Sequence, residues 1–136
     1  MTDKPILVCY FEDDPQHREI VAIILKTAGF DVDVCSDGPS ALKSIHEKLP
    51  DIILADILMP GMNGLETIEK IREMGVTAPV IVLTNFDRHD LDSVYLRELN
   101  ISRLMLKASG SLDDIVKAVK DTYNQAKQQP DGSHKN

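Results

Sequence analysis

The chain has 136 residues, 43% of them hydrophobic and 27% charged, a balance that fits one soluble domain with a real core and excludes a disordered chain. Its 22 acidic and 15 basic residues leave a formal net charge of −7, so the basic footprint that neutralises nucleic-acid phosphates is missing and direct DNA or RNA binding is not expected. Apolar runs such as Ile52 to Ala55 and Val80 to Leu83 are far too short to cross a bilayer, and no charged leader with a long apolar region opens the chain, so neither membrane insertion nor a secretory signal is expected.

Strand-like and helix-like segments alternate along the chain. Pro5 to Phe11 (PILVCYF) is a dense apolar run of strand length. Asp14 and Pro15 then supply a capping acid followed by proline at the first helical position. Ile20, Ile23, Ile24 and Thr27/Ala28 recur at helical spacing, and Gly29 stops the helix. Phe30 to Cys35 alternates apolar residues with acids, the pattern of an edge strand with one wet side.

Asp37 to Lys48 reads as a second helix carrying Ala41, Leu42 and Ile45, broken by Pro50-Asp51. Ile52 to Ala55 is the third strand, and MPGMNG is loop chemistry in which Pro60, Gly61 and Gly64 shape the chain before the next helix. Leu65, Ile68 and Ile71 mark that helix, which ends near Gly75, and Ala78 to Thr84 is the fourth strand. A charge-rich helix from Arg88 to Leu99 closes on Asn100 in a left-handed cap. Ile101 to Leu106 is the fifth strand, and Leu112, Ile115, Val116 and Val119 share one face of a last helix. Residues 1–125 form the domain, and 126–136 are a polar, flexible tail. Cys9 and Cys35 fall in strand-like runs; two such thiols read as buried and inert, in a reducing compartment.

Strands alternating with helices predict an α/β fold, a parallel sheet covered on both faces with a crevice at the carboxyl ends of its strands. Glu12, Asp13 and Asp14 follow the first strand, Asp56 follows the third, Thr84 ends the fourth and Lys107 follows the fifth. Asp14 is accounted for as a helix cap. The other carboxylates crowd one edge, which is unfavourable unless a cation compensates them or some protonate. Magnesium tolerates one or two carboxylates together with waters and a phosphate. The lysine adds a charge that pairs with a phosphoryl oxygen, and the threonine adds a hydroxyl donor. Such parts suit phosphoryl transfer to a carboxylate. No glycine-rich loop is present to cradle a nucleotide.

Over residues 4 to 124 the sequence resembles the receiver domains of two-component response regulators. ILVCYFEDDP is similar to the family's first strand and acidic pair, DIILADILMPGMNGLE to the segment around its phosphoacceptor, VIVLT to the strand bearing its switch hydroxyl, and LMLK to the strand before its lysine. The resemblance implies a five-stranded parallel sheet of flavodoxin-like order 2-1-3-4-5. It implies that Asp56 accepts a phosphoryl group from a phosphohistidine of a histidine kinase or phosphotransfer protein. Glu12, Asp13, Asp56 and the backbone carbonyl of Leu58 would hold Mg²⁺, Lys107 would pair with the phosphoryl group, and Thr84 would move to bond it. The implied protein is cytoplasmic and is not a turnover enzyme, its chemistry being limited to self-phosphorylation and slow autodephosphorylation. A downstream effector or attached output domain would read a face built from the fourth helix, fifth strand and fifth helix, the face through which relatives also form homodimers.

The alternative is a pseudo-receiver, an interaction module with the fold and little phosphorylation, which would lack the acidic pair, the acceptor or the lysine. An aspartate-nucleophile phosphatase needs a DxD run after the first strand, where this chain has Asp13 and Pro15. The chain departs from the family pattern in three places. Ala108 follows Lys107 where proline with a cis bond is common, and a cis bond to Ala costs about 3 kcal/mol. Leu104 replaces the usual aromatic residue, so the rotamer that reports phosphorylation in relatives is missing. Asn85 and Phe86 follow Thr84, and a bulky Phe86 near the site would hinder attacking water and lengthen the phosphorylated state.

Overall fold

The computed structural model describes residues 4–57, 64–84, 93–107 and 111–128. The apolar runs become β1 (Leu7–Phe11), β3 (Ile52–Asp56) and β4 (Val80–Thr84), each buried along its whole length. The alternating run becomes β2 (Asp31–Cys35), and β5 (Arg103–Leu106) completes the sheet. All neighbours pair in parallel, in the order β2-β1-β3-β4-β5, so β2 lies at an edge as its alternating acids suggest, although Val34 is exposed alongside them.

Helices α1 (Pro15–Thr27), α2 (Gly38–Glu47), α3 (Gly64–Glu73), α4 (Ser93–Glu98) and α5 (Leu112–Gln128) alternate with the strands. Side chains alternate across the sheet and build two cores. Cys9, Phe11, Ile53, Ala55, Val80 and Val82 pack with Ala41, Ile45, Ile68 and Ile71 of α2 and α3. Val8, Tyr10, Ile52, Leu54, Ile81 and Leu83 pack with Val21, Leu25, Ile115 and Val119 of α1 and α5. A one-residue slip of any central strand would exchange these sets, so the register that aligns the strand ends is held by burial on both faces.

The helix starts follow their capping residues. Asp14 accepts a hydrogen bond from Gln16 N at 3.1 Å, with Pro15 opening α1, and Asp37 accepts from Ser40 N at 2.8 Å. Asn100 has φ of 59°, the left-handed cap expected after α4. The segment from Arg88 to Asp92, where that helix was expected to begin, lies outside the described residues.

Two details differ from expectation. In α1 the buried residues are Val21, Ala22 and Leu25, whereas Ile20 and Ile23 are exposed. The run IVAIIL is apolar around most of the helix, so spacing alone does not choose a face; the start fixed by Asp14 and Pro15 does. The last helix continues through Gln128, with the Lys127 ammonium 5.9 Å from the Tyr123 ring centre in its final turn. Residues 129–136 lie outside the described residues. Cys9 and Cys35 are free and buried, and the hydrogen bond to Cys35, together with burial, pushes the Cys9 thiol far up, where it stays protonated.

Candidate functional site

Because the strands are parallel and in register, their carboxyl ends meet at one edge. Glu12 continues β1, its N–H donating to Cys35 O at 3.0 Å. Asp56, the last residue of β3, pairs with Leu83 of β4. Thr84 ends β4, and its carbonyl accepts the N–H of Lys107 at 2.8 Å, so these two positions are tied through the backbone. Glu12, Asp56 and Thr84 are all buried.

Glu12 has no solvent exposure, and its carboxylate is held from several directions. Lys107 Nζ lies 2.9 Å from Oε1 and 3.1 Å from Oε2. His17 Nδ1 lies 2.9 Å from Oε1, the Tyr10 hydroxyl donates to Oε1 at 3.4 Å, and Asp14 N donates to Oε2 at 3.2 Å. Burial alone would push the Glu12 carboxyl up, but its hydrogen bonds with Asp56, Lys107 and His17 prevail and hold it below the ordinary carboxylate range. Lys107 shows the mirror image. Burial would lower its ammonium, yet Glu12 and Asp56 outweigh burial and raise it.

Lys107 Nζ is also 3.6 Å from Asp56 Oδ2. Glu12, Asp13 and Asp56 each place a carboxylate oxygen within 4.8 Å of the other two. Two of these acids are buried, and oxygen donors this close fit a hard divalent cation. Packing holds Asp56 from behind as well. Gly64 N donates to Ile57 O at 2.7 Å, and a Cβ on Gly64 would run into the Asp56 carbonyl oxygen.

The sequence profile of the response regulator receiver domain family matches residues 8–120. The chain belongs to this family. The receiver domain is 40% identical over 74 residues to the DNA-binding response regulator MtrA of Mycolicibacterium smegmatis, a match covering 54% of this chain and 32% of MtrA. It is 35% identical over 84 residues to the transcriptional regulatory protein TrcR of Mycobacterium tuberculosis, covering 62% of this chain and 33% of TrcR. The matches thus span about a third of the length of these curated relatives. Among solved structures, a CheY-like receiver domain protein from Methanospirillum hungatei superposes with a TM-score of 0.85 at 19% identity, covering 93% of this chain and all of that one. The chemotaxis protein CheY4 of Vibrio cholerae gives 0.80 at 21% identity, over 88% of this chain and 99% of that one. These two likenesses carry the fold.

In the receiver domain, Glu12, Asp13, Asp56, Thr84 and Lys107 stand at one edge of the sheet, as their places in the sequence require. The acidic pair, the aspartate that ends β3 and the lysine, whose loss would mark a pseudo-receiver, are all present. Leu58, Pro60, Gly61, Asn85, Phe86 and Ala108 lie outside the described residues, and with them the bond between Lys107 and Ala108. Leu104 packs against the core on the α2 and α3 side. Among the described residues no helix is long and apolar enough to cross a membrane.

His17 is not among the site residues that the sequence singles out, and on a helix surface a histidine reads as solvated. It is instead 23% exposed and bonded to Glu12. Arg18 was likewise unremarked, yet its guanidinium donates to the carbonyls of Glu12 and Asp13 at 3.0 and 3.3 Å. The available signal was position: both residues lie in the first turn of a helix that starts directly above the acidic strand end.

Proposed function

We propose that this receiver domain takes a phosphoryl group onto Asp56 from a phosphohistidine of a histidine kinase or phosphotransfer protein, and that the modification switches a partner-binding face. The observation that carries the reading is the approach of Lys107 to both Asp56 and Glu12, in a cluster where Glu12, Asp13 and Asp56 lie within 4.8 Å of one another. An Asp56 carboxylate oxygen forms the new O–P bond as the P–N bond of phosphohistidine breaks. The electron pair returns to the imidazole nitrogen, which takes up a proton. Glu12, Asp13 and Asp56, with the Leu58 carbonyl suggested by the family resemblance, would hold Mg²⁺, which supplies positive charge to the phosphoryl oxygens.

Lys107 adds the second positive charge, and its closeness to Asp56 lets it follow the phosphoryl group without a backbone rearrangement. Thr84, at the end of β4, donates its hydroxyl to the same group. Its movement would bias the face of α4, β5 and α5, where Leu106 is exposed, toward an effector, an attached output domain or a second copy of the chain. The reaction leaves the protein modified until the acyl phosphate hydrolyses slowly, so it is a switch and not a turnover enzyme. The cytoplasm, where histidine kinases present their phosphohistidine, is its place of action. Relatives named as DNA-binding or transcriptional regulators are about three times the matched length, and their DNA contact would belong to segments beyond the match.

The test is incubation with acetyl phosphate and Mg²⁺ followed by intact mass. Wild type gains one phosphoryl group and Asp56→Asn gains none. Absence of any gain in wild type across a full range of Mg²⁺ concentrations overturns the reading.

A further inference from the structure

Resting on the phosphoacceptor reading above, we propose that His17 is a positioning residue. It fixes the Glu12 carboxylate in the orientation from which Glu12, Asp13 and Asp56 share one divalent cation. Glutamate has one more rotatable bond than aspartate, so a glutamate that must present an oxygen at a set point has an additional torsion to restrain.

In the structure Lys107 contributes most of that restraint, contacting both carboxylate oxygens of Glu12. The proposed chemistry sends Lys107 to the phosphoryl group on Asp56. The described donors that stay on Glu12 include Asp14 N on Oε2, and His17 Nδ1 and the Tyr10 hydroxyl on Oε1. His17 is the nearer of the two side chains, at 2.9 Å against 3.4 Å for Tyr10. One imidazole tautomer satisfies the group. An ionised carboxylate only accepts, so Nδ1 carries the proton, and the Tyr10 hydroxyl, 3.3 Å from that nitrogen, also donates to Oε1.

The placement is built in locally. Asp14 caps α1 and Pro15 opens it, which sets His17 in the first turn, and Arg18 ties the same turn to the Glu12 and Asp13 carbonyls. Hydrogen bonds to a ligating carboxylate from behind orient it and tune metal affinity. His17 would do this for Glu12 without touching the cation or the phosphoryl group.

The test compares His17→Leu, which removes the donor, with His17→Asn, whose amide nitrogen takes the place of Nδ1. Mg²⁺ alone is titrated against tyrosine fluorescence and Tm. The Mg²⁺ concentration for half-maximal phosphoryl uptake from acetyl phosphate is measured separately. His17→Leu is expected to raise that concentration about tenfold and to weaken binding of Mg²⁺ alone by less, since Lys107 still restrains Glu12 there, while the rate at saturating Mg²⁺ stays within about threefold of wild type. His17→Asn is expected to recover most of the loss. A residue that only supports the fold would lower Tm without moving the Mg²⁺ midpoint. Should His17→Leu not fold, His17→Ala is read against His17→Asn on the same scale. Equal Mg²⁺ midpoints in wild type and the donor-less variant overturn the role of His17 and leave the phosphoacceptor reading standing. A wild type that neither binds Mg²⁺ nor gains phosphate overturns both.

Discussion

Lys107 Nζ sits closer to Glu12, at 2.9 Å, than to Asp56, at 3.6 Å. The lysine therefore serves as counter-charge to the wholly buried acid. Lys107→Met keeps the apolar stem and removes the charge, which leaves both Glu12 oxygens short of a donor. The expected loss is about 1–3 kcal/mol of stability in EDTA, the cost of an under-satisfied buried acceptor. Phosphoryl uptake should fall as well, because the same charge is proposed to meet the incoming group. Urea unfolding in EDTA checks the first effect, and unchanged stability would show that the contact holds nothing.

The shifted groups at this edge also fix how stability depends on pH. Glu12 is depressed in the folded state, so its contribution is present above the unfolded value of about 4.3 and is lost as pH falls through the folded one. Tyr10 is raised, first by burial and then by the Glu12 charge, so its contribution is present below about 10 and lost as pH rises beyond that. Lys107 is raised too, and its contribution is lost on the same alkaline side. Tm measured against pH in EDTA should show a plateau between the two limbs. Glu12→Gln should flatten part of the acid limb and Tyr10→Phe part of the alkaline one. Variants whose limbs run parallel to wild type on both sides would refute the assignment.

Asp56 was legible because its neighbours are: an apolar run on one side, loop chemistry on the other, and matching polar residues at the ends of three further strands. The order of the sheet followed from the family resemblance, and the edge position of β2 from its alternating acids. The buried face of α1 was not legible, since IVAIIL offers apolar residues in nearly every direction. Nor was the partner of His17, because that contact depends on where the first turn of α1 lies over the strand end. Arg72 makes the same point. On a helix surface it reads as a solvated charge, yet its guanidinium donates to the carbonyls of Val76, Ala78, Leu99 and Asn100 at 3.0, 2.8, 2.9 and 3.1 Å. Its contact with Asn100 joins segments 28 residues apart, a distance that periodicity does not report.

Gly64 connects the packing of α3 to the position of Asp56. An added Cβ would meet the Asp56 carbonyl oxygen, with Ile57 Cα at 2.8 Å and the Asp56 carbonyl carbon at 2.9 Å, all of them backbone atoms unable to swing aside. Helix propensity alone would favour alanine by up to about 1 kcal/mol, so the sign of Gly64→Ala separates the two effects. The steric effect should prevail, because relief requires either α3 or the end of β3 to shift. The expected result is a net loss of about 2 kcal/mol, in the range of overpacked cores. Slower phosphoryl uptake should accompany it, as the Asp56 carboxylate moves relative to Lys107 and Glu12. Chemical denaturation and an acetyl phosphate time course are the two measurements. A variant more stable than wild type with an unchanged rate would mean that α3 adjusts freely and that its approach to Asp56 carries no constraint.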